Sequence, residues 1–269
     1  MRMLALSSLR VSIVTAFAFL AAALPAQQPN LSVQEILTRV RANIDASIAT
    51  LPDIFCDEHL RSAELHNGKI KRELILDSVL QATRQSSEFD EFKEDRTLRT
   101  VDGKPPVKGK VYKPPFTIVN GFGGVFKSYF FAEFEPCNMY NLLPDAGKNE
   151  KEVVLEVSRN DGHKEISPCS TMKATTKAKA TFWLDAGSLQ IRRFEVNSPH
   201  AGTLNGFEGS TDYAFVPLGP KSYLLPASVH AVATSLSGSE HYVYDSQYSN
   251  CHRFGSSVNI LPGSPDAPN

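Results

Sequence analysis

Few of the patterns that carry chemistry occur in this chain. Its seven histidines, at 59, 66, 163, 200, 230, 241 and 252, include no H-E-x-x-H or similar spacing that would set two imidazoles against one metal. The four cysteines contain no C-x-x-C, so zinc has little to bind. No G-x-S-x-G turn raises a serine nucleophile. Residues 120–124 (NGFGG) hold a G-x-G-G. They lack the Lys-Ser/Thr of a phosphate loop and the βαβ setting of a dinucleotide site. No cofactor and no metal is therefore expected. Neither charge sign is in excess, with 28 Lys+Arg against 29 Asp+Glu. The basic residues are scattered along the chain, which argues against nucleic acid as a partner.

The one long apolar run, residues 11–24, is shorter than a bilayer-spanning helix requires. It follows Arg2 and Arg10 and leads into small residues, the layout of a secretory signal peptide over residues 1–26. Cleavage after Ala23 and after Ala26 both fit. An uncleaved anchor is the alternative, and Gln27, Gln28 and Pro29 follow too closely to favour it. No cysteine lies near the cleavage site, which argues against a lipid-modified N-terminus. Export to an oxidising compartment gives Cys56, Cys137, Cys169 and Cys251 a role as two disulfides. Four cysteines allow three pairings. The favoured one is Cys137–Cys169, with Cys56–Cys251 tying the first strand to the last.

What is present is one helix and many strands. Ser32 and Glu35 form an S-x-x-E capping box, and Val33, Ile36, Leu37, Val40, Ile44 and Ile48 recur at helical spacing before Pro52. This predicts a helix from Ser32 to about Leu51 with one apolar face, and burial against a sheet is the ordinary use of such a face. From Ile54 onward, turn signals come at short intervals with no helical period between them: Asn67-Gly68, Asp102-Gly103, Asp161-Gly162, Leu218-Gly219-Pro220 and Ser237-Gly238-Ser239. That is an antiparallel meander. The last turns separate runs 211–217, 221–225, 227–235 and 240–250. The centre of the pattern is residues 181–196 (TFWLDAGSLQIRRFEV), two apolar-rich runs about Asp185-Ala186-Gly187-Ser188, with Gly187 expected to supply positive φ. Arg192-Arg193 beside Glu195 reads as a solvated or cross-strand paired face. Residues 261–269, rich in proline, are expected to be disordered.

Residues 116–140 are crowded with aromatics behind the glycines of 120–124. Phe122, Phe126, Tyr129 and Phe130 fit a short helix that would lie as a lid across a curved sheet. The ordinary explanation of such a cluster is core; the other is a ligand lining, for which Phe122, Phe126, Phe130 and Trp183 are the candidates. Cys56-Asp57-Glu58-His59 gathers reactive groups. Alternation on a strand puts Asp57 with His59 on one side and Cys56 with Glu58 on the other, and an oxidised Cys56 on a polar-faced edge strand explains it best. Asp57 and His59 are the residues on which an enzymatic reading would rest. His230 and His241 are placed to face each other across the last hairpin.

The order of these parts resembles the LolA/LolB-like superfamily of periplasmic lipoprotein carriers and their relatives. The resemblance rests on a signal peptide, one amphipathic helix, Leu51-Pro52-Asp53-Ile54-Phe55-Cys56 and a run of hairpins. It rests further on F-W-L-D-x-x-S-L-x-I-x-R-x-E at 182–195 and the closing stretches 213–226 (YAFVPLGPKSYLLP) and 248–254 (YSNCHRF). It implies an α+β, mostly β fold over residues 27–260: a curved antiparallel sheet, or half-barrel, with an N-terminal helix and a short lid helix. It also implies a non-enzymatic protein, periplasmic or secreted, that holds a lipid, acyl chain or other apolar ligand in the concave face and is soluble or membrane-peripheral. The alternative is an envelope protein-interaction or sensor module whose core is filled by its own side chains. The four cysteines and the long stretch 91–143, an insertion or lid, depart from the carrier pattern, and no cargo-contacting residue matches one by one.

Overall fold

Ser32 opens the fold as the N-cap of α1 (Val33–Thr50). Its hydroxyl accepts from the Glu35 N–H at 3.3 Å, and the Glu35 carboxylate accepts from the Ser32 N–H at 2.8 Å. The predicted capping box is formed, and these bonds hold the Glu35 carboxyl below its usual range. The helix ends where Leu51 N–H donates to the Ser47 carbonyl, one residue before Pro52. The computed structural model describes residues 31–84, 92–118, 126–143, 151–160, 169, 177–200, 202 and 204–254. The expected signal peptide (1–26) and disordered tail (261–269), Phe122 with the 120–124 glycines, and the expected turn at Asp161-Gly162 lie outside the described residues.

Ten strands follow: β1 (Ile54–His66), β2 (Lys69–Arg84), β3 (Phe92–Val101), β4 (Asn138–Leu142), β5 (Glu152–Arg159), β6 (Lys179–Asp185), β7 (Ile191–Ser198), β8 (Leu204–Leu218), β9 (Lys221–Ser235) and β10 (Glu240–Arg253). Between β3 and β4 lie a single turn of helix, α2 (Lys127–Phe130), and a 3-10 helix (Ala132–Cys137). The strands form one 10-stranded antiparallel sheet in the order β3-β2-β1-β10-β9-β8-β7-β6-β5-β4. Its edges, β3 and β4, do not meet, so the curved sheet is an open half-barrel. β10 returns to pair with β1, from Ile54↔Arg253 to His66↔Glu240. The expected Cys56–Cys251 bond crosses that seam, and Cys137–Cys169 is the second bond.

The turns form largely as their sequences dictate. Asn67 (φ 49°) and Gly68 (φ 73°) both take the left-handed conformation that a type I′ hairpin needs. Two expectations need correction. First, runs 221–225 and 227–235 are one strand. Tyr213 pairs with Pro226 and Asp212 with Ser228, so Ala227 is the extra residue of a bulge that carries β9 past a proline. Pairing with β10 covers only the stretch from Ser228 onward, so the N–H that Pro226 lacks is not missed there. Second, Gly187 is not the left-handed residue of the β6–β7 loop. Leu189 is, at φ 56°, with its side chain fully buried. Asp185 closes the loop by accepting from the Ser188 N–H (2.9 Å) and hydroxyl (2.8 Å), which hold its carboxyl below the usual range. A Cβ on Gly187 would meet only Asp185 Oδ1, at 3.6 Å. Gly187→Ala is therefore expected to leave stability unchanged or raise it by about 0.5 kcal/mol; a loss above about 1 kcal/mol in urea unfolding would show that the loop does need glycine.

Side chains alternate faces along the strands. On β1, Cys56, Glu58, Leu60 and Ser62 are buried, whereas Asp57, His59 and Arg61 face outward. α1 lies on the inner face, where Ile36, Leu37, Val40 and Ile44 pack on Leu155, Phe182, Leu184 and Ile191. Segment 112–118 covers the other part of that face: Tyr112, Phe116 and Ile118 rest on Leu60, Val229, Ala231 and Tyr244. The phenols under this cover are displaced by burial, and that of Tyr244 is pushed up to about 12.

Candidate functional site

An aromatic cluster fills much of the hollow. The ring of Phe130 sits edge-on 4.6 Å from Phe182, which lies 4.9 Å from Phe194; Tyr129 is edge-on to Phe182 at 5.4 Å and tilted to Phe194 at 5.7 Å. Burial pushes the Tyr129 phenol up. Two bonds pin this plug: Arg41 of α1 donates to the Phe130 carbonyl and pairs with Glu135 at 2.6 Å. Asn138 Nδ2 donates to the carbonyls of Ser128 and Phe134.

Beside the plug an opening remains between the C-terminal half of α1 and the β8–β9 hairpin, with a volume of ≈ 240 Å³. Val40, Ile44, Ile48 and Leu51 form one wall. Leu189 and Ile191 form the floor with Phe126 and Tyr213, and Phe215, Leu224 and Leu225 form the far wall. The helical period places the first wall. The walls are tied at their ends: Asn43 Nδ2 donates to the Ser188 carbonyl at 2.8 Å, and the Tyr223 hydroxyl to the Thr50 carbonyl at 3.1 Å. The Arg192 guanidinium lies 4.7 Å over the Phe215 ring at the rim. Burial pushes the Tyr213 phenol well up, which keeps it neutral. Two polar groups stand out. Gln190 Oε1 is buried with no hydrogen-bond partner among the described residues. Lys221, at the mouth, has no ion-pair partner among them. A buried unpaired amide is unfavourable unless something else satisfies it.

The sequence candidates separate. Phe126 lines the groove, 5.5 Å from Tyr213. Phe130 is fully buried inside the plug. Trp183 alternates to the outer face, where Arg193 lies over its ring. Phe122 is outside the described residues. Asn43, Ser47, Thr50, Gln190 and Tyr223 were not anticipated as groove residues. The signal for the helical ones was available, since they flank the apolar stripe of α1.

The outer face carries Asp57 and the histidines that the sequence singled out. β1 is third in the sheet, so Cys56 is not on an edge strand as expected. Asp57 pairs with Arg99 (2.7 Å) and accepts from Asn250. His59 Nδ1 lies 2.7 Å from Asp77, whose carboxyl is held below its usual range by His59 and by the Thr100 hydroxyl. His230 does not face His241: it stands opposite Asp245, 2.6 Å from its carboxylate, while His241 stands opposite Thr234. Ser210 is the other cross-strand neighbour of His230. A Ser-His-Asp row in the middle of a sheet has its backbone N–H groups committed to the ladder, leaving none converging on a substrate oxygen. Arg193 bridges Glu195 (2.7 Å) and, across the strand, Asp212 (2.9 Å), as its sequence context suggested. Among the described residues no group of three or more His, Cys, Asp or Glu is arranged to hold a metal.

No family model matches the chain, and no curated protein does. Among solved structures, the chain is similar to a LolA superfamily protein from Nitrosomonas europaea: 13% identity, 84% of this chain and 94% of that one covered, TM-score 0.36. It is also similar to an outer membrane lipoprotein-sorting protein domain from Vibrio parahaemolyticus: 13% identity, coverage of 83% and 94%, TM-score 0.36.

Proposed function

We propose that the chain is an exported, non-enzymatic binding protein that holds one slender apolar or amphipathic chain in the groove between α1 and the β8–β9 hairpin. The observation that carries this reading is an apolar groove, open to solvent, with a cation at its mouth and an amide oxygen in its wall that have no partner among the described residues. Size sets the class of occupant. At ≈ 240 Å³ the groove is below the 300–1,000 Å³ typical of drug-sized ligands, so a single acyl chain suits it better than a ring system. Burying about 200 Å² of such a chain is worth roughly 5 kcal/mol before ordering costs, which sets an affinity no tighter than about 0.2 mM unless the head group adds to it. Lys221 suits an anionic head and Gln190 one with a hydrogen-bond donor. Two disulfides fit the oxidising compartment that export implies.

The filled inner face favours a second reading, an envelope interaction or sensor module in which the plug of Phe130, Phe182 and Phe194 is the core and the groove is incidental. Native mass spectrometry of protein purified from its own envelope, with titration of a fluorescent undecanoate probe, decides between them. The first reading expects a co-purifying acyl species and probe binding reduced at least tenfold by Leu224→Trp, which fills the groove. Trp183→Phe, on the other face, should leave probe affinity within about twofold. No adduct and no probe binding would leave the second reading.

A further inference from the structure

The basic residues, scattered in sequence, are not scattered in space. Two stretches without an acid carry seven of them: Lys69, Lys71 and Arg72 at the β1–β2 hairpin, and Lys104, Lys108, Lys110 and Lys113 in segment 104–113. Arg72 donates to the Lys113 carbonyl, which fastens the segment beside the hairpin. Within the segment, Lys110 N–H donates to the Val107 carbonyl (3.1 Å), and Val107 N–H to the Tyr112 hydroxyl (2.9 Å). Its far end is held by Ser62, whose hydroxyl bonds both the N–H and the carbonyl of Phe116. This is a shaped loop, and it presents its aliphatic side chains outward.

Those side chains make the patch more than a basic surface. Ile70 (53% exposed), Val107 (63%) and Val111 (75%) stand among the lysines, and Leu236 (64%) is in the β9–β10 turn at the same end of the sheet. That turn lies close because Lys71 Nζ reaches across to Glu240 (3.7 Å) as well as Glu64 (2.7 Å). Of the acids at this end, Glu64 and Glu240 are spent on Lys71, and Glu73 on Arg61. Asp102 accepts from the Ile75 N–H. The remaining field is positive. Exposed aliphatics between lysines gain nothing from a soluble polyanion. They do gain from a bilayer, where the aliphatic tips enter the interface and the ammonium groups reach anionic head groups.

We infer that this end of the sheet, the β1–β2 hairpin with segment 104–113, docks on an anionic membrane surface. The inference is independent of the groove.

Vesicle flotation tests it, with phosphatidylcholine alone and with phosphatidylcholine containing about 30% phosphatidylglycerol. The full chain should bind the mixed vesicles at least tenfold better than the neutral ones. That binding should be lost at about 0.5 M salt, where screening falls within a few ångströms. At about fivefold per cation, Lys108→Ser/Lys110→Ser/Lys113→Ser should reduce binding by about a hundredfold. Val107→Ser/Val111→Ser, with every cation kept, should reduce it severalfold. All five positions are exposed, and an unchanged urea midpoint confirms that each variant folds. Leu224→Trp should bind vesicles as the unaltered chain does, so failure of the groove reading would not touch this one. Equal binding to neutral and anionic vesicles, or no effect of the lysine substitutions, overturns the inference. An unaffected valine variant overturns it too, because the patch would then recognise charge alone, as a soluble anion requires.

Discussion

Arg96→Met should destabilise the fold by about 3 kcal/mol, the lower end of the range for stranding one member of a buried ion pair. Glu58 projects from β1 into the inner face with its side chain fully buried. Arg96, on β3, lies across β2 from it and donates from Nε at 2.8 Å and from a terminal nitrogen at 3.1 Å. Ser78 (2.8 Å) and Ser246 (3.3 Å) donate their hydroxyls to the same carboxylate. Burial works against the arginine's charge, yet the hydrogen bond and charge of Glu58 more than offset it, and Arg96 is held above its usual range. Arg96 is therefore charged in the fold and donates twice to the Glu58 side chain. Removing Arg96 leaves a desolvated carboxylate without its cation, held by the hydroxyls of Ser78 and Ser246, and because the guanidinium retains some exposure the loss belongs at the low end. Glu58→Leu/Arg96→Met removes both charges and should recover most of the stability, since an apolar pair of similar size often replaces a buried bridge at little cost. Urea midpoints of the two variants and the parent give the comparison. A loss below about 1 kcal/mol in Arg96→Met would mean that the pair behaves like an exposed one.

That pair also shows where sequence reasoning stopped. The strand and the grouping of Cys56 with Glu58 on one of its faces follow from alternation alone; the burial of that face does not, and a polar-faced edge strand was the expectation. An acid at the phase of Cys56 and Leu60 should have demanded a buried cation, but nothing local points to a partner 38 residues away on another strand. The capping box at Ser32 and the type I′ turn at Asn67-Gly68 were legible because their physics is contained in three or four residues. The β6–β7 loop misled because glycine is the usual carrier of positive φ. Here the Asp185–Ser188 bonds and the burial of Leu189 impose that conformation on a leucine instead. The groove was half legible. Phe126 could be suspected from aromatic spacing, whereas Trp183 went to the outer face because it is one residue out of phase with Phe182. Tyr223 and Gln190 reach the site only through a bulge and a loop that no short pattern specifies. The basic patch was the least visible, because its two stretches lie some 35 residues apart in sequence and meet through contacts such as Arg72–Lys113 that no short pattern specifies.

The two disulfides should differ in what they contribute, and the sheet order says why. Cys56–Cys251 spans 195 residues and Cys137–Cys169 spans 32. If a cross-link acts by restricting the unfolded chain, the longer loop is worth about 5 kcal/mol and the shorter about 4. The topology widens the gap. Cys56 and Cys251 lie at the seam where β1 meets β10, the one pairing that joins the first strand to the last, and every strand from β2 to β9 lies within the loop they close. Without the bond, the Ile54↔Arg253 end of that pairing must be held against fraying by the ladder and by packing around Leu51, Leu80 and Leu225. Cys137–Cys169 instead joins Cys169 to the residue just before the edge strand β4, at the far margin of the sheet from that seam. Cys56→Ala/Cys251→Ala is therefore expected to lower stability by about 4–5 kcal/mol in urea unfolding, and Cys137→Ala/Cys169→Ala by about 2–3 kcal/mol. Amide exchange should separate the two mechanisms. In the first variant protection falls along both β1 and β10, from the Ile54 end inward, whereas in the second it falls only in β4 and the 3-10 helix before it. Equal losses, or protection of β1 and β10 untouched in the first variant, would show that the seam is held by its ladder alone and that sequence separation does not rank the bonds.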